Sequence, residues 1–157
     1  MHIRKGNIDD LIWIGNLLIE GANEGHFGPS MSYQAMVFLQ AVIQSGGVQM
    51  IKLRGGIKAP VFVPMELTVA EVDGNPASFL ICCKEGSDVE IHLAATIKRF
   101  RKNGCFSKLV MNAIINNSNC LVYARCYKKS TSAIKGLKKL NFKPTKKGNP
   151  IELTLAK

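Results

Sequence analysis

Acidic residues are almost missing from the end of this sequence. Residues 98–157 hold one, Glu152, against 15 lysines and arginines, whereas residues 1–97 hold 10 acidic and 6 basic residues. So lopsided a distribution excludes an evenly self-neutralising surface and predicts that the basic end meets an anion. Nucleic acid, an acidic membrane surface, a phosphorylated cofactor and an acidic protein partner all satisfy that condition. Paired cysteines are missing too. Cys82, Cys83, Cys105, Cys120 and Cys126 are odd in number and none has CxxC spacing. That argues against a disulfide framework and predicts free thiols in a reducing compartment. The three histidines stand apart from the cysteines, so no metal site is expected. No apolar stretch approaches the ~20 residues that a membrane span needs. Asp9 and Asp10 interrupt the N-terminus where a signal peptide would carry its apolar core. A soluble cytoplasmic protein without a membrane partner is expected.

What is present is ample apolar material. Hydrophobic residues make up 46% of the 157, enough for one core in one domain, residues 1–157, without staples. Residues 1–5 read as a short strand. Asp9 or Asp10 is placed to cap a helix from Leu11 to Glu20, whose Leu11, Ile14, Leu17 and Leu18 fall at helical spacing. After a Gly- and Asn-rich break at 21–29, Ser30 or Ser32 is placed to cap a helix from Tyr33 to Gln44, which Gly46 and Gly47 stop. Strand-like runs follow at 48–53, 65–72, 77–83 and 89–97. A loop with Gly55, Gly56 and Pro60 separates the first two, and Asp73-Gly74-Asn75 predicts a hairpin between the next two. The last third alternates: a basic loop at 98–104, a helix at 105–116, a strand at 120–126, and a helix capped by Ser130 and running to Leu140. Two short pieces, 142–144 and 151–155, are placed to pair as a terminal hairpin. The order is drawn as β-α-α-β-β-β-α-β-α-β-β, a mixed α/β layout with helices packed on a partly antiparallel sheet.

The chemistry concentrates in Glu90 to Val110, EIHLAATIKRFRKNGCFSKLV. A strand ends in a turn holding Arg101, Lys102, Asn103 and Gly104, and a helix starts at once. The first N–H groups of such a helix have no internal partner and point at whatever stands before them, with the helix dipole adding positive potential. Gly104 lets backbone approach a phosphate without a Cβ in the way. Lys98, Arg99, Arg101 and Lys102 add charge. A pyrophosphate would bind well here, although a solvated basic loop has the same composition.

Arg101-Lys102-Asn103-Gly104 resembles the first four positions of the acyl-CoA loop of the GNAT acetyltransferase superfamily, Arg/Gln-x-x-Gly-x-Gly/Ala. Phe106 stands where the family has Gly or Ala, and its ring is expected to crowd or reshape the loop. Residues 72–79, VDGNPASF, are similar to the family's central hairpin. Ser130, Ala133 and Leu140-Asn141-Phe142 are similar to its late helix and the strand after it. The element order also resembles the family's, so the likeness spans nearly the whole chain. It implies a single domain with a mixed, mostly antiparallel twisted sheet, its fourth and fifth strands splayed apart, flanked by about four helices. It also implies an N-acetyltransferase that uses acetyl-CoA as acyl donor. In the implied arrangement the splayed strands are 89–97 and 120–126. Backbone of Ala95, Thr96 and Ile97 would pair with the pantetheine arm. Amides from Arg101 through Lys102, Asn103, Gly104, Cys105 and Phe106 to Ser107 would hold the pyrophosphate, and Ser130 would touch the cofactor.

Transfer of an acyl group to an amine needs a proton acceptor. Glu90 and His92 are two apart on a strand and so share a face, opposite Ile91 and Leu93, which read as core. A carboxylate on this strand resembles the general base of some family members, so Glu90 is preferred, with His92 as the other candidate. A solvated glutamate and a half-buried histidine are the plain alternatives. The family's acidic tyrosine position is Leu137 here, leaving Tyr123 and Tyr127 as substitutes. The loop between the first two helices, with Glu24 and His26, would face the acceptor, an amine of a small molecule or of a protein. A homodimer is compatible with this reading. In the competing one, the same fold binds nucleic acid or an acidic partner through its lysine-rich C-terminal half and turns nothing over.

Overall fold

The computed structural model describes all residues 1–157. After β1 (His2–Lys5) the chain turns at Asn7, which caps a 3₁₀ turn at Ile8–Asp10. The Asn7 side chain accepts from the Asp9 N–H at 2.9 Å, and the Asp10 carboxylate accepts from the Asn7 N–H at 2.9 Å, a reciprocal cap. The expected cap at Asp9 or Asp10 is therefore corrected. Asp10 is buried and takes two hydrogen bonds from the Arg4 guanidinium and one from the Trp13 indole. Helices α1 (Leu11–Asn23) and α2 (Met31–Ser45) follow. Neither Ser30 nor Ser32 caps α2 with its side chain, and the Ser32 hydroxyl donates to the Pro29 carbonyl instead. Gly46 ends α2 in the left-handed region, as its position predicts.

Four strands stand between α2 and the next helix, one for each of the four strand-like runs and one more than the drawn order. They are β2 (Gly47–Arg54), β3 (Ile57–Val72), β4 (Asn75–Glu85) and β5 (Asp88–Thr96). The expected loop through Pro60 is a two-residue turn at Gly55-Gly56, and β3 already begins at Ile57. Proline hid the first half of this strand because it cannot donate to a ladder. Pro60 and Pro64 escape the penalty. Counting from the turn, only odd residues of β3 exchange hydrogen bonds with β2, in line with the Met65 N–H donating to the Gly46 carbonyl. The hairpin at Asp73-Gly74 forms as expected, both residues at positive φ (50° and 75°), the conformation of a primed turn.

The second half contains α3 (Cys105–Asn116), β6 (Leu121–Cys126), α4 (Thr131–Lys139), β7 (Phe142–Lys146) and β8 (Ile151–Leu155). The sheet order is β1-β3-β4-β5-β6-β8-β7, with β2 on β3 and the terminal hairpin β7–β8 in place. Every pairing is antiparallel except β5 with β6. Helices cover both faces. Ile14, Leu18, Leu39 and Val42 of α1 and α2 pack on Val69, Phe79, Ile81 and Leu93. Leu109, Val110 and Ala113 of α3, with Leu137 of α4, pack on Leu80, Val89, Ile91 and Val122. No helix is long and apolar enough to cross a membrane.

Two features of β5 position the site. It pairs with β6 over Asp88–Ile91 only; beyond that the two strands part from each other, β5 staying on β4 and β6 on β8, so the sheet forks. Just at the fork, Cys82 and Ile81 of β4 face Ile91 and Leu93, leaving His92 as the extra residue of a β-bulge. Ile91 then faces α3 and α4 while Leu93 faces α1 and α2. The expectation that both lie on one face is corrected, since a bulge breaks strict alternation.

Candidate active site

Glu90, His92 and Arg125 meet where the sheet forks. Glu90 alternates with Val89 and Ile91, so it points to the α1/α2 side, and it is buried. Arg125 of β6 holds it with two hydrogen bonds, Nε to Oε1 at 3.0 Å and Nη2 to Oε2 at 2.8 Å. His92 Nδ1 lies 3.4 Å from Glu90 Oε1, and its half-buried ring stands 6.4 Å from that of Phe38 on α2. The expected sharing of one face by Glu90 and His92 holds. Burial by itself would raise the Glu90 pKa. Hydrogen bonding to His92 and to Arg125 outweighs it and brings the carboxyl down to about 2. A carboxylate that acidic, with both oxygens engaged, is a weak proton acceptor, which speaks against Glu90 as base. The His92 ring turns Nδ1 toward Glu90, which leaves Nε2 on its far side.

Tyr123 faces Glu90 across the paired part of the fork. Burial first, then the Glu90 charge, pushes its hydroxyl up to about 12, so it stays protonated at neutral pH. Leu137, at the family's tyrosine position, is buried in the α3/α4 core and offers no acid.

Beyond the fork, the freed edge of β5 leads to the basic turn. Ile97 N–H donates to the Ala77 carbonyl, and the Ala95 carbonyl accepts from the Ser78 hydroxyl. Both therefore face β4, and strand alternation leaves Ala94 and Thr96 facing the gap. The backbone of Ala95 and Ile97 is thus taken by β4, and of the three positions expected to be open only Thr96 faces the gap, with Ala94 beside it. The Thr96 carbonyl already accepts from Arg101 Nε at 3.3 Å, which folds the basic turn back onto the strand end. Lys98–Phe100 form a 3₁₀ turn, with the Arg99 guanidinium 4.7 Å over the Phe100 ring.

Gly104 starts α3 at φ 75°. The first backbone acceptor used in the helix is the Gly104 carbonyl, taken by Lys108 N–H, so the amides of Cys105, Phe106 and Ser107 point out of the helix end. Asn103, Lys102 and Arg101 are exposed around them. The Phe106 ring does not crowd this end. It packs on α4, where a Cβ added to Gly136 would lie 3.0 Å from it. Gly104→Val is expected to strain the left-handed position by about 1–3 kcal/mol, read as a lowered melting temperature.

Ser130 sits at the start of α4 but does not cap it. Its hydroxyl lies 3.0 Å from His26 Nδ1, and His26 Nε2 lies 3.5 Å from Glu24. The loop between α1 and α2 is thereby tied to the loop after β6. Glu24 and His26, expected to face an acceptor, contact each other, and His26 contacts Ser130. Sequence reasoning missed Arg125. Its signal was a lone charge two residues after Tyr123 in an otherwise apolar strand.

No protein-family model matches the sequence, and neither does any curated protein. Solved structures do match. An N-acetyltransferase from Staphylococcus aureus Mu50 superposes with a TM-score of 0.70 at 13% identity, over 98% of this chain and 100% of its own. The PaiA N-acetyltransferase of Thermoplasma acidophilum, in complex with coenzyme A, gives 0.67 at 12% identity, over 98% and 96%. A GNAT-family acetyltransferase from Streptococcus pneumoniae gives 0.60 at 15%, over 98% and 95%. Over nearly its whole length, the chain has the fold of the GNAT acetyltransferases.

Proposed function

We propose that the protein transfers an acetyl group from acetyl-CoA to a primary amine, by direct attack with both substrates bound. The observation that carries this reading is the forked sheet, with a free β5 edge running from His92 to the open amides at the start of α3. Ala94 and Thr96 would pair with the pantetheine arm, and the Cys105, Phe106 and Ser107 amides with Arg101 and Lys102 would hold the pyrophosphate. The coenzyme A complex of the Thermoplasma protein supports the same donor here. The amine nitrogen attacks the thioester carbonyl carbon, the C–N bond forms, and the C–S bond breaks with its electron pair leaving on sulfur. His92 accepts the ammonium proton. A thiolate with a pKa near ~8.5 leaves without a strong acid. The acceptor approaches from the side of α1 and α2, where Phe38 borders His92.

Coenzyme A at a hundred times its Kd is expected to stabilise the fold by about 2.7 kcal/mol, a rise in Tm of roughly 5–10 °C for a domain of this size. No shift at millimolar CoA would overturn the proposal. A second reading, nucleic-acid binding, draws on Lys135, Lys138, Lys139, Lys143 and Lys147, which are exposed and lie outside the basic turn. Affinity for DNA or RNA that falls steeply with salt, without a CoA shift, would favour it.

A further inference from the structure

The β2–β3 hairpin extends past the sheet with two unpaired edges. β4 pairs with β3 only from Met65 to Val72, and β1 only from Thr68 to Glu71, so residues 57–64 of β3 have β2 as their single neighbour. The two edges differ in kind. On the β3 side the outward positions are the even residues, and Pro60 and Pro64 remove two of their donors, a common way of blunting an edge. On the β2 side the outward N–H and C=O groups belong to Gln49, Ile51 and Leu53, and no proline interrupts them. Ile51 and Leu53 are 68% and 66% exposed, and Phe62, across from Gln49 on the same face, is 44% exposed. An open edge beside an unpartnered apolar face is a pairing surface.

We infer that β2 pairs antiparallel with β2 of a second copy about a two-fold axis. A strand paired with itself needs no other surface to be complementary. A register centred on Met50 or on Ile51 sets Lys52 and Arg54 opposite uncharged residues of the partner, so the chain's net charge of +10 is not concentrated at the contact. Shape agrees. The chain exposes 9090 Å², against about 7,800 Å² for a compact monomer of its mass. The surplus is that of a molecule with a protruding arm, in keeping with a hairpin that stands clear of the sheet.

Light scattering and sedimentation equilibrium test this directly, without reference to CoA or turnover. The wild-type chain is expected at the mass of two 17.2 kDa chains. Ile51→Pro, which removes an outward donor and spares the ladder to β3, is expected at the mass of one, with the circular dichroism of the wild type. Met50→Pro, whose N–H faces β3, is expected to lower Tm instead. Should Ile51→Pro fail to fold, Ile51→Lys supplies the same readout through the apolar face. A wild-type chain that stays single at high micromolar concentration overturns the inference, even if an acidic peptide docks on the edge. So does a folded Ile51→Pro or Ile51→Lys variant that remains paired.

Discussion

His92→Ala is expected to lower kcat/KM for acetyl transfer by about 10²- to 10⁴-fold while leaving the CoA-dependent rise in Tm unchanged. The ring is half-buried at the fork, carries no core contact with α3 or α4, and stands apart from the amides at the start of α3. Its loss removes a proton acceptor and nothing that holds the donor. Raising the pH is expected to recover part of the rate, because an amine already deprotonated by solvent needs no base. Glu90→Gln is expected to cost less. The carboxylate is a poor base, since burial is outweighed by its hydrogen bonds to His92 and Arg125 and the pKa sits at about 2. The glutamine retains one oxygen for Arg125 but holds the imidazole less firmly, so the effect falls on the pH profile as well as on kcat. A Glu90→Gln variant without measurable turnover beside an active His92→Ala variant would reverse the two roles.

The same ion pair predicts a strong acid limb of stability. The Glu90 carboxyl is lowered from 4.5 to about 2 by folding. Its stabilisation is therefore fully present above about pH 4.5 and lost as pH falls toward 2, because the unfolded chain binds the proton first. The loss amounts to roughly 3 kcal/mol. Asp10 titrates in the same sense: burial alone would raise its pKa, but the Arg4, Asn7 and Trp13 hydrogen bonds bring it below the usual range. The test is hence a difference. Urea unfolding of the wild type and of Glu90→Gln, measured across this range, is expected to show the wild type losing its advantage as pH falls. Parallel curves would assign the acid limb elsewhere.

Much of the fold was legible because local signals agreed with the tertiary outcome. Asp73-Gly74 made its turn, Gly46 stopped α2, and the apolar runs at 77–83 and 89–97 became β4 and β5. The caps were misread where side chains had stronger partners elsewhere. Asp10 binds Arg4 and Trp13, and Ser130 meets His26, more than a hundred positions away in the chain; neither partner is visible from local spacing. The start of β3 was hidden by Pro60, whose harmlessness depends on hydrogen-bond parity with a neighbouring strand. At the site, the basic turn and Gly104 were read correctly in sequence as a helix start. The acidity of Glu90 was not readable there. It needs Arg125 across the fork, and a carboxylate's basicity depends on what surrounds it in space.

The bulge in β5 separates chemistry from architecture. Ile91 and Leu93 alternate as direct neighbours would, one to each core, so the strand reads in frame with His92 left out. The histidine is a guest inserted between two halves of a continuous ladder. A single-codon insertion or deletion at this point therefore adds or removes the side chain at the fork without re-aiming any of those that make the two hydrophobic layers.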